Sequence, residues 1–261
     1  MEINSIDHID IHKRPKRIVS LVPSITELLV DLNLEDELLG ITKFCTYPRH
    51  LKKTKTIVGG TKEVHIDKIK TLQPDLIICN KEENTKEIVM EAEKIAPVFV
   101  CDLKEVDENP SLFLSIGKLT HRNFEARNLV DKFNFARDQF EQFIKTEPER
   151  SVAYFIWAKP WMVAGSQTYI NSVLKLNHFK NVYANLERYP VVEIKKFRMQ
   201  GDADYVLFPD EPFPFKDEHA FELGRFTHHA KTVFIDGSYF SWYGSRSIKA
   251  FKYFKEVIKS L

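Results

Sequence analysis

One pattern occurs twice in this chain, and it narrows what the chain can fold into. Residues 17–22 (RIVSLV) form an apolar run, and Pro23-Ser24-Ile25-Thr26-Glu27-Leu28-Leu29 opens a helix directly after it. Residues 152–157 (VAYFIW) form a second apolar run, followed by a loop and the helix-like Tyr169–Leu176. Each start leads into its own set of strand and helix segments. Between the sets lies a long polar stretch with helical spacing and no strand pattern. Short apolar strands alternating with amphipathic helices imply largely parallel sheets. The expected fold is α/β, with two mixed lobes at 1–107 and 148–261 joined by one backbone helix at 108–147. Ligands of such sheets meet the loops at the carboxyl ends of the strands, so the expected site is a cleft between the lobes.

The first lobe reads as strands at 17–22, 39–44, 56–59, 76–79 and 97–101, with helices at 24–32, 66–71 and 83–94. Ser24-x-x-Glu27 has the spacing of a capping box at the first helix start. Leu112, Ile116, Leu119, Phe124, Leu129, Phe133, Phe140 and Phe143 recur at near-helical spacing. Asn109-Pro110 suits a start and Glu147-Pro148 a stop. A single helix from about 110 to 145 would run roughly 50 Å at 1.5 Å per residue. The second lobe reads as strands at 152–157, 161–164, 204–208 and 232–235, with a turn or strand at 178–183. Its helices are expected at 169–176, 192–199, 218–225 and 247–261.

Composition excludes some functions. Lysine plus arginine number 38 and aspartate plus glutamate 37, a formal charge of +1, which predicts no general attraction to nucleic acid or acidic membranes. No run approaches the ~20 apolar residues of a membrane span. The N-terminal MEINSIDHIDIHKRPKR has no apolar core and no small-residue cleavage site, so the sequence as written reads as cytosolic. Cys45, Cys79 and Cys101 lack metal-type spacing and are expected as buried free thiols. The nine histidines show no ligand cluster: His65 stands alone and His228-His229 has no carboxylate at useful spacing. There is no GxSxG, HExxH, Walker A or GxGxxG motif, so a binder is expected rather than an enzyme. An enzyme using the same cleft is the rival from another class.

Four stretches carry a resemblance: RIVSLVPSITELLVDLNLEDELLGITKFCTYP, IDKIKTLQPDLIICN, VAYFIWAKPWMVAG and ERYPVVEIKKF. They resemble the helical-backbone class of periplasmic-binding proteins, which deliver cobalamin, haem and ferric siderophores to ABC importers. The scaffold is most similar to the cobalamin binders. The resemblance implies a non-covalently held, metal-containing ligand (corrinoid first, then ferric siderophore or haem) and a permease dimer as partner. It implies an envelope location, where the N-terminus as written implies a cytosolic one. A cytosolic corrinoid- or cofactor-handling protein on the same scaffold is the alternative. No nucleic acid is expected as a partner, and the chain is expected to be a monomer. The resemblance further implies one docking carboxylate per lobe. The first falls on Asp67; in the second, Lys195 stands at the aligned position with Glu193 two residues away.

The candidate pocket residues are those of the strand-end loops. In the first lobe they are Ser24, Phe44, Tyr47, Thr61, Asn80 and Glu82. In the second they are Trp157, Trp161, Tyr189, Glu211, Phe213, Trp242, Tyr243 and Arg246. Aromatic faces suit a flat macrocycle, and a few polar groups orient it. By the resemblance, Phe44 and Tyr189 align with aromatics that lie against a corrin, and Thr61 replaces a third. Asn80, Glu82 and Asn84 are read either as partners for ligand amides or as a polar turn leading into a helix. The three prolines between Pro209 and Phe215 stiffen the loop that presents Glu211 and Phe213. Arg246 is expected to pair with Asp236 or with a ligand carboxylate.

Overall fold

The computed structural model describes residues 4–7, 9–10, 12–200 and 202–261. Of the N-terminal segment without a secretory pattern, Met1–Ile3, His8 and Ile11 lie outside the described residues, as does Gly201. The chain divides into two compact units. The first holds residues 1–103, 107–135 and 243–246, the second 104–106, 136–242 and 247–261.

The first unit runs β1 (Ile18–Ser20), α1 (Pro23–Asp31), β2 (Leu38–Ile41), α2 (Leu51–Thr54), β3 (Thr56–Ile57), α3 (Ile66–Thr71), β4 (Leu76–Asn80), α4 (Lys86–Glu93) and β5 (Val98–Cys101). Its strands are all parallel, in the order β3-β2-β1-β4-β5. Every residue of β1, β4 and β5 is buried. Strands covered on both faces have no polar side to alternate with, so they appear in the sequence as unbroken apolar runs. Val19, Ile77, Cys79, Val98 and Val100 pack with Ile69 of α3 and with Val89 and Ala92 of α4. β1 lies between β2 and β4, so the strand order reverses there, and the loops after β1 and β4 leave the sheet at its switch point.

The expected capping box at Ser24 is not formed. Pro23 already occupies the first turn of α1, and Val22 is the N-cap, with no side-chain bond to the helix end. Proline is suited to that turn because it has no N–H to leave unpaired. Ser24 therefore lies inside the helix. α4 starts at Lys86 rather than Glu83, capped by the Thr85 hydroxyl, which accepts from the Ile88 N–H at 3.3 Å.

The connecting stretch is two helices rather than the single rod expected. α5 (Asn109–Thr120) ends at His121, whose backbone is left-handed at φ 58, and α6 (Asn123–Ile144) follows. Gly117 allows the turn: a Cβ there would run into the Ala126 side chain and the Arg122 carbonyl. The Arg122 N–H donates to the Gly117 carbonyl at 2.7 Å. Phe113 of α5 meets Phe133 of α6 edge to face at 6.1 Å, so the two helices form a hairpin. The long helix is α6 alone. Its 22 residues span about 33 Å at 1.5 Å each, and it begins in the first unit and ends in the second.

The second unit runs β6 (Arg150–Trp157), β7 (Met162–Val163), α7 (Tyr169–Leu176), β8 (Phe179–Asn181), a 3-10 stretch at Ile194–Gln200, β9 (Tyr205–Pro209), α8 (Asp217–Gly224), β10 (Lys231–Ile235), α9 (Ser238–Ser241) and α10 (Arg246–Ser260). β6 pairs in parallel with β8 and β9, and β9 in parallel with β10. β7 folds back antiparallel on the end of β6. Ala153 and Phe155 face a core with Trp161, Tyr183, Phe197, Val206, Phe208, Phe215 and Leu223. Tyr154 lies between them in sequence and packs on Phe240 instead. Phe251 and Phe254 of α10 close on Phe140 of α6, at 5.7 and 5.9 Å between ring centres. Among the described residues, no helix is long and apolar enough to cross a membrane.

Candidate functional site

The carboxyl ends of parallel strands gather at one edge of each sheet, and that edge is where an α/β unit meets its ligand. In the first unit it carries the loops after β1, β2, β3 and β4. Thr42 to His50 form the β2 loop. It is pinned from beneath by Cys45, whose thiol lies 3.2 Å from the Thr26 hydroxyl and 3.3 Å from that of Thr42. Burial pushes this thiol up from its usual range, which makes it a packing group. With Cys45 turned inward, Phe44 turns outward and is 49% exposed. The Lys43 ammonium lies 5.1 Å from the Phe44 ring centre, and Gly60 also lies against the ring.

The polar loop after β4 is closed on itself. The Asn80 Oδ1 accepts from the N–H groups of Glu82 and Glu83 at 2.6 and 2.8 Å. The Asn84 Oδ1 accepts from the Asn80 N–H at 2.8 Å, and its Nδ2 donates to the Thr61 carbonyl at 3.0 Å. The Lys62 ammonium donates to the Glu82 carbonyl at 2.7 Å. The Asn80 Nδ2 donates to the Tyr243 hydroxyl, which also lies 3.2 Å from the Cys101 thiol. Asn80 and Tyr243 are buried and bonded within their own unit, and these bonds hold the loop in place. Thr61 and Glu82 are half-buried on the same loops.

Arg246 also differs from expectation. Its Nε donates to the Glu27 carboxylate at 2.7 Å, with both side chains at most 5% exposed, rather than to Asp236. Its guanidinium stacks 3.9 Å from the centre of the Tyr47 ring. One face of Tyr47 is thereby fixed from behind. The chain reaches this place through Gly244, at φ +88, whose N–H donates to the Asn109 side chain at 2.6 Å. Only a residue without a Cβ takes that φ readily while lying against the Ser24 carbonyl. Ser24 is buried beneath it. Asp236 is used locally, accepting from the Ser238 N–H at 3.0 Å.

In the second unit the carboxyl edge is aromatic. Trp157, 41% exposed, meets Phe213 at 5.2 Å. Phe213 in turn meets Phe215 at 4.9 Å and His219 at 5.1 Å. Phe215 stacks flat on Phe208 at 4.3 Å. Trp161, expected beside Trp157, belongs to the core. It is 7% exposed and packed by Phe155, Phe208, Phe215 and His219. The β6–β7 turn carries it back under the sheet end, where its carbonyl accepts from the Val192 N–H at 2.9 Å.

Tyr189 is half-buried, with the Arg188 guanidinium 5.5 Å from its ring. Its loop is held against Gly165, whose N–H donates to the Arg188 carbonyl at 2.8 Å. Glu211, half-buried, lies on Gly237. Trp242 is 9% exposed at the end of α9. The structure thus brings Trp157 and Phe213 together in one unit, and Phe44, Thr61 and Glu82 onto adjoining loops in the other.

Two features went unseen in the sequence. The Glu27–Arg246 pair joins residues 219 apart. The Tyr154 hydroxyl is buried in β6 without a partner among the described residues. Asp67, with its side chain 97% exposed, pairs with Lys70 at 3.6 Å. Glu193, 68% exposed, pairs with Lys196 at 2.9 Å, and Lys195 is exposed beside it. Among the described residues, no three histidine, cysteine, aspartate or glutamate side chains gather as a metal ion would need.

Comparison with known proteins places this geometry. Residues 18–207 match the family model described as periplasmic binding protein. Over 185 residues the chain is 28% identical to an uncharacterised ABC transporter substrate-binding lipoprotein of Bacillus subtilis, YvrC, covering 68% of this chain and 58% of that protein. Over 197 residues it is 24% identical to a vitamin B12-binding protein of Yersinia pseudotuberculosis, covering 74% and 68%. The chain thus spans roughly six tenths of the length of these relatives. A periplasmic heme binding protein from Pseudomonas aeruginosa shares the fold, with a TM-score of 0.78, 19% identity and coverage of 94% and 92%.

Proposed function

The chain belongs to the periplasmic binding protein family, and on that premise we propose that it binds a bulky, metal-containing, cofactor-like ligand and hands it to an ABC importer. One observation carries the reading: each unit presents, at the carboxyl edge of its sheet, a large aromatic side chain left exposed by its own core. These are Phe44, 49% exposed, and Trp157, 41% exposed. Exposed rings at a strand-end edge suit a flat macrocycle, which gains from face and edge contact. The ligand residues of this reading are Phe44, Tyr47, Thr61 and Glu82 in the first unit, and Trp157, Tyr189, Glu211 and Phe213 in the second. Asp67 and Glu193 are its permease-facing carboxylates.

A corrinoid is the first ligand class, supported by the likeness to the Yersinia vitamin B12-binding protein. An anionic chelate, haem or a ferric siderophore, is the second. Lys43 favours it by placing a cation beside the exposed Phe44 ring. A thermal-unfolding titration with cyanocobalamin, cobinamide, haemin and several ferric siderophores tests the reading. A ligand present at a hundred times its Kd adds about 2.7 kcal/mol of stability. A saturable rise with one of them names the ligand class; no rise with any of them overturns the proposal.

A further inference from the structure

A strand at the edge of a sheet leaves the N–H and C=O groups of every second residue without a neighbouring strand, and folded chains shorten or cover such edges. The first unit does both. β3, at one edge, has two residues. β5, at the other, is covered by Asn4, whose N–H donates to the Val100 carbonyl at 2.9 Å. The Asn4 side-chain amide also bonds the backbone C=O and N–H of Asp102, at 2.7 and 2.8 Å. In the second unit the two-residue β7 is covered as well, since the Val163 N–H donates to the Pro190 carbonyl at 3.2 Å. β10 differs. It is the end strand of its sheet, five residues long, without proline and in unbroken register with β9.

Its hydrogen bonds show which groups stay open. The Lys231 N–H donates to the Asp204 carbonyl at 2.9 Å, and the Ile235 carbonyl accepts from the Asp210 N–H at 3.1 Å. Lys231, Val233 and Ile235 therefore bond toward β9, and the residues between them bond outward. At the two ends the outward groups are met within the unit. The Ala230 N–H donates to the Thr227 hydroxyl at 3.0 Å, and the Asp236 N–H to the Tyr253 hydroxyl at 2.8 Å. Between these ends, the backbone N–H and C=O groups of Thr232 and Phe234 meet no partner among the described residues. The stretch is open to solvent: Lys231 is exposed, Thr232 and Val233 are half-buried, and Phe234 is 46% exposed.

We propose that β10 is a self-association edge, on which a second copy of this chain pairs antiparallel through its own β10. Backbone symmetry is the first reason for that occupant. With a two-fold axis at Val233, Thr232 of each copy stands opposite Phe234 of the other, and the N–H···O=C bonds that form use every group left open on both strands. Charge is the second reason. The strand follows His228-His229, begins at Lys231 and runs into Asp236. An antiparallel copy sets the basic end of each strand beside the acidic end of the other, where a parallel copy would set like beside like. Asp202 and Asp204, near the basic end, are bonded within the unit to Thr227 and Ser151. Apolar contact adds to the pairing. Phe234 lies beside Phe208, 6.0 Å between ring centres, and the two Phe234 rings stand diagonally across the new junction, within reach of one another. A dimer of this kind takes the place of the monomer expected from the sequence.

The test uses the full chain in sedimentation equilibrium at rising concentration, where a monomer–dimer equilibrium is expected. Thr232→Pro removes an outward N–H, leaves the bonds to β9 in place, and should abolish the dimer. Lys231→Glu changes an exposed side chain and should weaken it roughly tenfold, since a repulsion replaces an attraction at both ends. Cysteine cross-linking reads the register. Across the axis the two Val233 residues form a non-hydrogen-bonded pair with Cα atoms about 4.5 Å apart, close enough for a disulfide. Oxidation with copper–phenanthroline should therefore link copies of Val233→Cys and leave Thr232→Cys, which faces Phe234, unlinked. Cys45, Cys79 and Cys101 are buried and do not interfere. Far-UV circular dichroism checks the fold of each variant, and Lys231→Glu decides if Thr232→Pro does not fold. A parent that stays monomeric at every concentration overturns the proposal. A dimer of unchanged affinity in the folded variants overturns it too, and so does cross-linking through Thr232→Cys as ready as through Val233→Cys.

Discussion

The two carboxyl edges use their side chains in opposite ways. In the first unit the polar groups turn inward: Asn80, Asn84 and Tyr243 are each bonded to another segment of the unit, as are Glu27 and Arg246. Among the described large apolar side chains of these loops, Phe44 is left exposed. In the second unit the edge is a chain of rings, Trp157 to Phe213 to Phe215. A polar strand-end loop is thus no sign of a ligand by itself. Short loops must satisfy their own backbone groups, and asparagine does this efficiently. Side chains left over once the loops and core are satisfied are the better sign, and here they are aromatic.

The largest effect expected from this contrast is in the first unit. Glu27→Ala leaves the Arg246 charge buried without its carboxylate, and such a break costs about 3–5 kcal/mol. Urea unfolding reads it as a lower midpoint, and Glu27→Leu combined with Arg246→Met should recover most of the loss. A loss below ~1 kcal/mol would mean that water reaches the pair, and the inward-turned description of this edge would fail.

A similar loss is expected in the second unit, but at only one of two neighbouring tryptophans. Trp161→Ala empties a site enclosed by four rings and should cost about 3–5 kcal/mol. Trp157→Ala removes a half-exposed ring and should leave unfolding within about 1 kcal/mol of the parent, while weakening the ligand found by titration. Comparing unfolding and ligand affinity in both variants separates core from rim. The reverse pattern would exchange the roles of the two residues.

Much of this fold could be read from the chain because its causes are local. β1, β4 and β5 are buried on both faces and appear as unbroken apolar runs. α3 and α7 were expected at 66–71 and 169–176, and the structure has them at Ile66–Thr71 and Tyr169–Leu176. The break between α5 and α6 had no such signal, since Thr120 to Asn123 includes neither glycine nor proline; Gly117, three residues earlier, makes the room. The same divide runs through the candidate site. Trp157 and Trp161 are four residues apart and equally plausible in sequence, and the β7 turn alone sends one inward. The Arg246 partner lies 219 residues away, beyond any spacing argument. The empty hydroxyl of Tyr154 depends on what does not surround it, which a sequence cannot state.

The smallest effect on stability, and the sharpest difference between the units, concerns surface charge. Asp67 in the first turn of α3 is almost fully exposed, and its pair with Lys70 is of the kind that adds little to stability. Asp67→Arg should leave the unfolding midpoint unchanged. If the first unit docks on permease arginines through this carboxylate, the same change turns attraction into repulsion and should abolish co-sedimentation of liganded protein with permease-bearing vesicles. In the second unit Lys195 stands where the resemblance expects an acid, and Glu193 is already engaged by Lys196 at 2.9 Å. Glu193→Arg should therefore weaken co-sedimentation less than Asp67→Arg. Equal losses would give both units a working docking acid. Indifference to both would remove the permease from the function and leave a ligand-handling protein on the same scaffold, a role in which Lys195 meets no permease arginine.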